Sequence, residues 1–282
     1  MKLFFDTCTN AVNYTNETKS FGVFFSRTKS QSQNVHIHDC CEIFLCLSEG
    51  KNFLIDDKVY TIADGDLFVI NQFEAHKVVP DSQNEFVRYV LHVHPDFLYS
   101  NSLGEANLAS CFYSSEKITK THLSKEELSK LTELFESLNN SYPYGDELFK
   151  KIRIIEILLE TSKFFSTHQI STPKITNHKT IQMAIDYINN NYASPLDLET
   201  VAKNSFISST QLSRLFNQYC GTTVTKYIIS KRITEAKKCL SEGENVTDTA
   251  FLCGFNDYAN FIRTFKKIVG VPPGKYKSNF TK

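Results

Sequence analysis

Apolar positions in the first hundred residues come in short bursts. Phe21-Gly22-Val23-Phe24-Phe25, Glu42 to Leu47, Asn52 to Ile55, Lys58 to Ile62, Asp66 to Ile70 and Phe86 to Val93 are rich in aromatic and β-branched residues. Gly50, Asp56-Asp57 and Asp64-Gly65 stand between them as turns. Short strands at such close spacing predict a small barrel or sandwich. Further on, the period becomes that of a helix. Ser124 with Glu127 predicts a capping box, and Leu128, Leu131, Leu134, Phe135 and Leu138 form a stripe behind it. Asn139 to Gly145, with Pro143, breaks that stripe. A second helix is expected from Asp146, with Leu148, Ile152, Ile155, Leu158, Leu159 and Phe165 as its stripe. Ile154 and Ile157 make it apolar on more than one side, so it needs more than one cover: its own β domain, or a paired subunit. From Thr180 onward the pattern is helical throughout.

One motif occurs twice in that last third. Ala202, Phe206-Ile207-Ser208, Leu212, Arg214 and Phe216 are matched by Ala250, Gly254-Phe255-Asn256, Phe261, Arg263 and Phe265, 48 residues on. Each copy reads as helix, tight turn, helix, the layout whose second helix can enter a DNA major groove. In the first copy Asp197 is the expected N-cap, Ser208 and Gln211 form a capping box, and Gly221 is the stop. Leu212, Leu215, Phe216 and Tyr219 face inward at helical spacing, which leaves Ser209, Thr210, Ser213, Arg214 and Asn217 outside. In the second copy Asp257, Tyr258, Asn260 and Arg263 lie outside, and Lys266 and Lys267 suit phosphate contacts. Arginine grips guanine and asparagine grips adenine through paired hydrogen bonds. The helix from Val224 to Leu240 is long enough to hold the two units about one DNA turn apart.

Charge follows this division. The chain carries 31 basic and 31 acidic residues, but from Lys174 onward there are 15 basic against 8 acidic. A basic domain attracts phosphates in a salt-sensitive way. The eight cysteines form no C-x-x-C pair, which fits neither a zinc ribbon nor a disulfide framework and suggests reduced thiols in a cytosol. No apolar run suits a signal peptide or a membrane span, so a cytoplasmic protein without a membrane partner is expected.

The run Leu198-Glu199-Thr200-Val201-Ala202, Ser208, Leu212-Ser213-Arg214-Leu215-Phe216, Gly221-Thr222, Tyr227, Arg232 and Ala236 closely resembles the AraC/XylS family of transcriptional regulators. The close is similar in the same way: Ala250, Gly254-Phe255, Phe261, Arg263, Phe265-Lys266-Lys267, Gly270-Val271-Pro272-Pro273 and Tyr276. The resemblance covers about 100 residues at fixed spacings. It implies a bipartite domain that binds promoter DNA and activates transcription with RNA polymerase as partner. The family's base-reading positions fall on Thr210, Ser213 and Arg214, and on Tyr258, Ala259, Asn260 and Arg263. Ala259 offers only a methyl group, and Ser205 stands where the family has leucine or valine.

In the first half, His36-x-His38-x3-Glu42, then Gly65 and His76, looks like the two motifs of a cupin barrel. Three imidazoles and a carboxylate are a plausible set for iron, manganese, nickel or zinc. Asn71 and Phe73, however, stand where metal cupins have proline and glycine, and sensor domains of this family keep such histidines without a metal role. The expectation is therefore no metal and no cofactor, with His36, His38, Glu42, His76, Arg88 and His92 as effector-pocket candidates. Strand alternation puts Arg88, His92 and His94 on one face and Tyr89 on the other. Family members of this architecture take sugars and other small metabolites, fatty acids or partner proteins.

The whole reads as an α+β multidomain protein. An effector-sensing cupin-like barrel spans 1–110, a helical dimerisation segment 111–170, a linker 171–178 and a double helix-turn-helix domain 179–282. It is expected to act as a homodimer and not as an enzyme. The competing reading is a metal-dependent cupin enzyme fused to a DNA-binding domain.

Overall fold

A computed structural model of the chain describes residues 3–28, 35–50, 52–72, 74–79, 84–113, 118–167, 179–220 and 222–278. Its elements run β1 (Phe4–Phe5), α1 (Cys8–Thr18), β2 (Phe21–Thr28), β3 (Cys41–Cys46), β4 (Asn52–Ile55), β5 (Lys58–Thr61), β6 (Asp66–Ile70), β7 (His76–Val79) and β8 (Phe86–Val93). Then come α2 (Pro95–Asn101), α3 (Ser110–Tyr113), β9 (Lys120–His122), α4 (Lys125–Ser137) and α5 (Asp146–Thr167). The last part holds α6 (Lys179–Asn191), α7 (Leu198–Asn204), α8 (Ser209–Cys220), α9 (Val224–Ser241), α10 (Val246–Leu252), α11 (Tyr258–Val269) and α12 (Pro273–Ser278).

Strand alternation builds two cores from one sheet. The larger sheet has the order β1-β2-β8-β3-β6-β9 and faces a smaller one, β5-β4-β7. Phe44, Phe68 and Val90 point between the sheets and meet Phe53, Ile55 and Tyr60. Their neighbours Ile43, Leu45, Leu67, Tyr89 and Leu91 point the other way and meet Leu131, Phe135, Ile154 and Ile157 of α4 and α5. A sheet covered on both faces leaves β3 buried throughout, and Glu42 is its one charged residue. The six expected strands are present. α1, β7 and β9 were not foreseen, because each is short or largely polar. β9 takes its order from the open edge of β6, pairing Phe68 with Lys120. The β domain therefore runs to residue 122 rather than ending at 110. The expected linker 171–178 lies outside the described residues.

Helix α5 has two apolar sides. Ile154, Ile157, Leu158 and Phe164 are buried against the sheet and α4. The expected stripe is divided: Leu158 and Phe165 are buried, whereas Leu148 is 62% exposed, Ile152 43% and Leu159 42%.

The DNA-binding domain is strung on α9. Arg232 on α9 donates to Tyr192 O at 2.8 Å and Ser194 O at 2.9 Å, tying down the chain just beyond α6. The two turns differ at their left-handed residue. Gly254 takes it in the second unit (φ 81°), Phe206 in the first (φ 58°). A Cβ on Gly254 would stand 2.7 Å from Tyr192 O and 2.9 Å from Ala193 Cα. Gly254→Ala is therefore expected to destabilise by at least about 2 kcal/mol in thermal melts, combining φ strain with a backbone clash. Phe206 is 83% exposed and gives little packing in return for its strain. Phe206→Gly should leave stability unchanged or raise it by up to about 1 kcal/mol.

Candidate nucleic-acid interface and barrel site

The two recognition helices keep their predicted faces. Ser208 Oγ accepts from the Gln211 N–H at 3.2 Å at the start of α8. Leu212, Leu215, Phe216 and Cys220 point into the core. Thr210, Ser213, Arg214 and Asn217 are exposed, and with Ser209 they line one open groove. On α11, Phe261 and Phe265 are buried, and Tyr258, Ala259, Asn260, Arg263, Lys266 and Lys267 are exposed. Asp257 is exposed on the outer face and is also the N-cap: its Oδ1 accepts from the Ala259 N–H at 2.9 Å. Ser205 is buried and donates to Val201 O at 2.8 Å, so the hydroxyl is satisfied within the helix it ends. Gly221, the expected stop, lies outside the described residues. Between the units α9 has 18 residues, a span of about 27 Å.

In the barrel the six effector candidates come together. His36, Glu42, His76 and Arg88 line one interior cavity of about 20 Å³, room for a water or an ion. His38 and His92 stand against Glu42 beside it. Glu42 Oε2 lies 2.9 Å from His38 Nε2, 3.4 Å from His76 Nε2 and 3.3 Å from His92 Nε2. Cys8 Sγ, on the unforeseen α1, is 3.4 Å from the same His92 nitrogen. Burial pushes His38 down to about 4, against the opposing pull of Glu42. Burial pushes the Glu42 carboxyl up, but the facing imidazoles outweigh it and hold the group well below the usual range. Burial also opposes charge on His92, yet Cys8 and Glu42 raise it to about 10. The Arg88 guanidinium stands over the rings of Phe86 (5.0 Å), Phe44 (5.6 Å) and Phe24 (5.9 Å). Tyr89 faces the other way and stacks on Phe135. His94 leaves the pattern, because the strand ends at Val93 and its ring caps α2 by accepting from the Asp96 N–H.

The barrel touches the helical domain through the next residue along. Asp39 follows His38 and pairs with Lys237 of α9 at 2.6 Å; it also accepts from Tyr276 Oη at 2.9 Å. The β4–β5 hairpin makes a second contact. Asp56 O accepts from Tyr227 Oη at 2.7 Å, Asp57 O accepts from Gln182 Nε2 at 3.0 Å, and Leu54 and Val59 join the core around α6 and α8. Beside these contacts lies a cleft of about 630 Å³ between α1 and the end of α11, bordered by His36, His38, Asp39, Lys237 and Lys267. Neither contact was legible beforehand, since Asp39 and Lys237 are 198 positions apart and belong to no motif.

Among the described residues no helix is long and apolar enough to cross a membrane. Residues 201–279 match the model of a helix-turn-helix domain, and residues 21–158 match that of an AraC-like ligand binding domain. The multiple antibiotic resistance protein MarA of Escherichia coli K12 is 37% identical over 103 residues, 36% of this chain and 81% of MarA. YdeC of Bacillus subtilis strain 168, an uncharacterized HTH-type transcriptional regulator, is 22% identical over 249 residues, 86% of this chain and 85% of YdeC. The HTH-type transcriptional activator RhaR of Pectobacterium atrosepticum is 22% identical over 258 residues, 87% of this chain and 86% of RhaR. The chain belongs to the AraC family of transcriptional regulators, a helix-turn-helix DNA-binding domain joined to an AraC-like ligand-binding domain.

Proposed function

We propose that this regulator is a homodimeric activator that reads two neighbouring stretches of promoter DNA with α8 and α11 and acts under a small effector. The observation that carries this is the split of both recognition helices. Every inward position is core, while Thr210, Ser213, Arg214, Asn217, Tyr258, Asn260 and Arg263 are exposed. Arg214 and Arg263 are the base readers, and Lys266 and Lys267 hold phosphates. RhaR, similar along most of the chain, is an activator, which supports the same sign here and RNA polymerase as the partner. The relatives are transcriptional regulators rather than enzymes, which supports a non-enzymatic role here.

Two spaces border His36: the barrel cavity and the larger cleft at the domain contact. Of the two, the cleft has the volume of a small-molecule pocket. An effector there would touch Asp39 and Lys237 and so bias how the barrel holds α9, a shift between pre-existing arrangements. The exposed stripe of α5 is the surface proposed for the dimer.

Fluorescence anisotropy against the DNA upstream of the chain's own gene, with unrelated DNA as control, tests the readers. Arg214→Ala and Arg263→Ala should each weaken the specific site by about 5- to 150-fold. Lys266→Ala should weaken all sequences alike and flatten the salt slope by about one unit. Unchanged affinity in both arginine variants removes the assignment. Leu148→Lys with Ile152→Lys should shift the light-scattering mass to that of a monomer; a dimer surviving both charges would place the interface elsewhere.

A further inference from the structure

Cys8 opens α1 directly after the Thr7 N-cap, where an 11-residue helix presents the positive end of its dipole. Its Sγ is 3.4 Å from His92 Nε2, and that nitrogen lies in turn 3.3 Å from Glu42 Oε2. Arg88, on the same strand as His92, lines the same cavity as Cys8. Its guanidinium rests over the rings of Phe86, Phe44 and Phe24 and has no carboxylate partner among the described residues. The attacking form of cysteine is the sulfur anion, and a helix N-terminus, an imidazole and a guanidinium are the surroundings of reactive rather than structural thiols. Of the other seven cysteines six are buried, and half-buried Cys239 is hydrogen-bonded to the Cys253 thiol. Cys8 is half-buried and meets open space on two sides, the barrel cavity and the domain cleft.

The cavity beside it is sized and lined for a very small hydroxylic molecule. Its volume of about 20 Å³ exceeds the roughly 10–15 Å³ that one water needs and falls far short of an organic ligand. His76 turns Nδ1 to Glu74 O at 2.9 Å, and a carbonyl only accepts, so that nitrogen carries the hydrogen. In the neutral ring Nε2 is then a bare acceptor, buried and with no hydrogen-bond partner. Arg88 brings N–H donors to the same cavity. Hydrogen peroxide carries two O–H donors and two acceptor oxygens, so one molecule can give a hydrogen to His76 Nε2 and accept from Arg88 beside the Cys8 sulfur.

We propose that Cys8 is a peroxide-reactive thiol, with hydrogen peroxide as its oxidant and His92 and Arg88 as its positioning residues. The sulfur attacks one peroxide oxygen. An S–O bond forms, the O–O bond breaks, and the S–H hydrogen leaves with the second oxygen as water. Sulfur loses two electrons and peroxide gains them, which leaves a sulfenic acid. Cys8 also borders the cleft that Lys237 and Lys267 line, so the new S–O group arises at the contact between barrel and DNA-binding domain.

Treating the full, reduced chain with hydrogen peroxide in the presence of dimedone, then locating the label by peptide mass spectrometry, tests the site. The label reads the sulfur alone, apart from the effector and dimer assignments. Cys8 should be labelled at least about tenfold faster than Cys239, the other half-buried cysteine. His92→Gln and Arg88→Gln should each slow Cys8 by about tenfold and leave Cys239 unchanged, which separates a local effect from unfolding. The bulkier tert-butyl hydroperoxide should show no preference for Cys8. Labelling of Cys8 no faster than that of Cys239 in the wild-type chain overturns the proposal whatever the variants do. A Cys8 rate unchanged in both variants overturns it too, and an equal preference with tert-butyl hydroperoxide overturns the cavity as the place where peroxide binds.

Discussion

Lys237 is 1% exposed, and its ammonium is 2.6 Å from the Asp39 carboxylate of the other domain. A buried cation without its partner costs about 3–5 kcal/mol. The helical domain therefore depends on the barrel to complete its own interior. α9 carries this lysine on the same helix that spaces the two recognition helices, and Tyr276 of the last helix binds the same aspartate. The β4–β5 hairpin adds apolar weight, since Leu54 and Val59 complete the core built by α6 and α8. The contact is thus both an ion pair and a shared core. Asp39 is covalently next to His38, so the barrel rim and the ion pair to α9 are one residue apart.

The helical domain was legible because its chemistry and its packing repeat at one spacing. Leu212, Leu215 and Phe216 are inward for the reason that Ser213 and Arg214 are outward, and one period fixes both. Arg232 shows the limit of that reading. Its fixed place in the motif says that it matters, and only the structure shows that it holds the carbonyls of Tyr192 and Ser194. The strands were legible for a similar reason, as aromatic and β-branched runs between turns. β9 and α1 were not, since pairing to an open edge and packing over a barrel mouth leave no period in three or eleven largely polar residues.

In the barrel, the residue set was legible and the wiring was not. His36, His38, Glu42 and His76 announce themselves by spacing, and alternation adds Arg88 and His92. That three imidazoles share one carboxylate oxygen depends on β3, β7 and β8 coming together, and spacing says nothing of that. The two-sided apolarity of α5 was visible in Ile154 and Ile157, yet which side meets the sheet was left open. Both stripes are apolar, so hydrophobicity could not choose between them; the sheet chose by position.

The central claim is that barrel and helical domain form one cooperative unit, joined at Asp39, Lys237 and the Leu54–Val59 hairpin. Scanning calorimetry of the full chain tests it most directly. One transition, with equal calorimetric and van't Hoff enthalpies, is expected for two domains that complete each other's cores. Two separate transitions in the wild-type chain, with each domain melting at its own temperature, would contradict it.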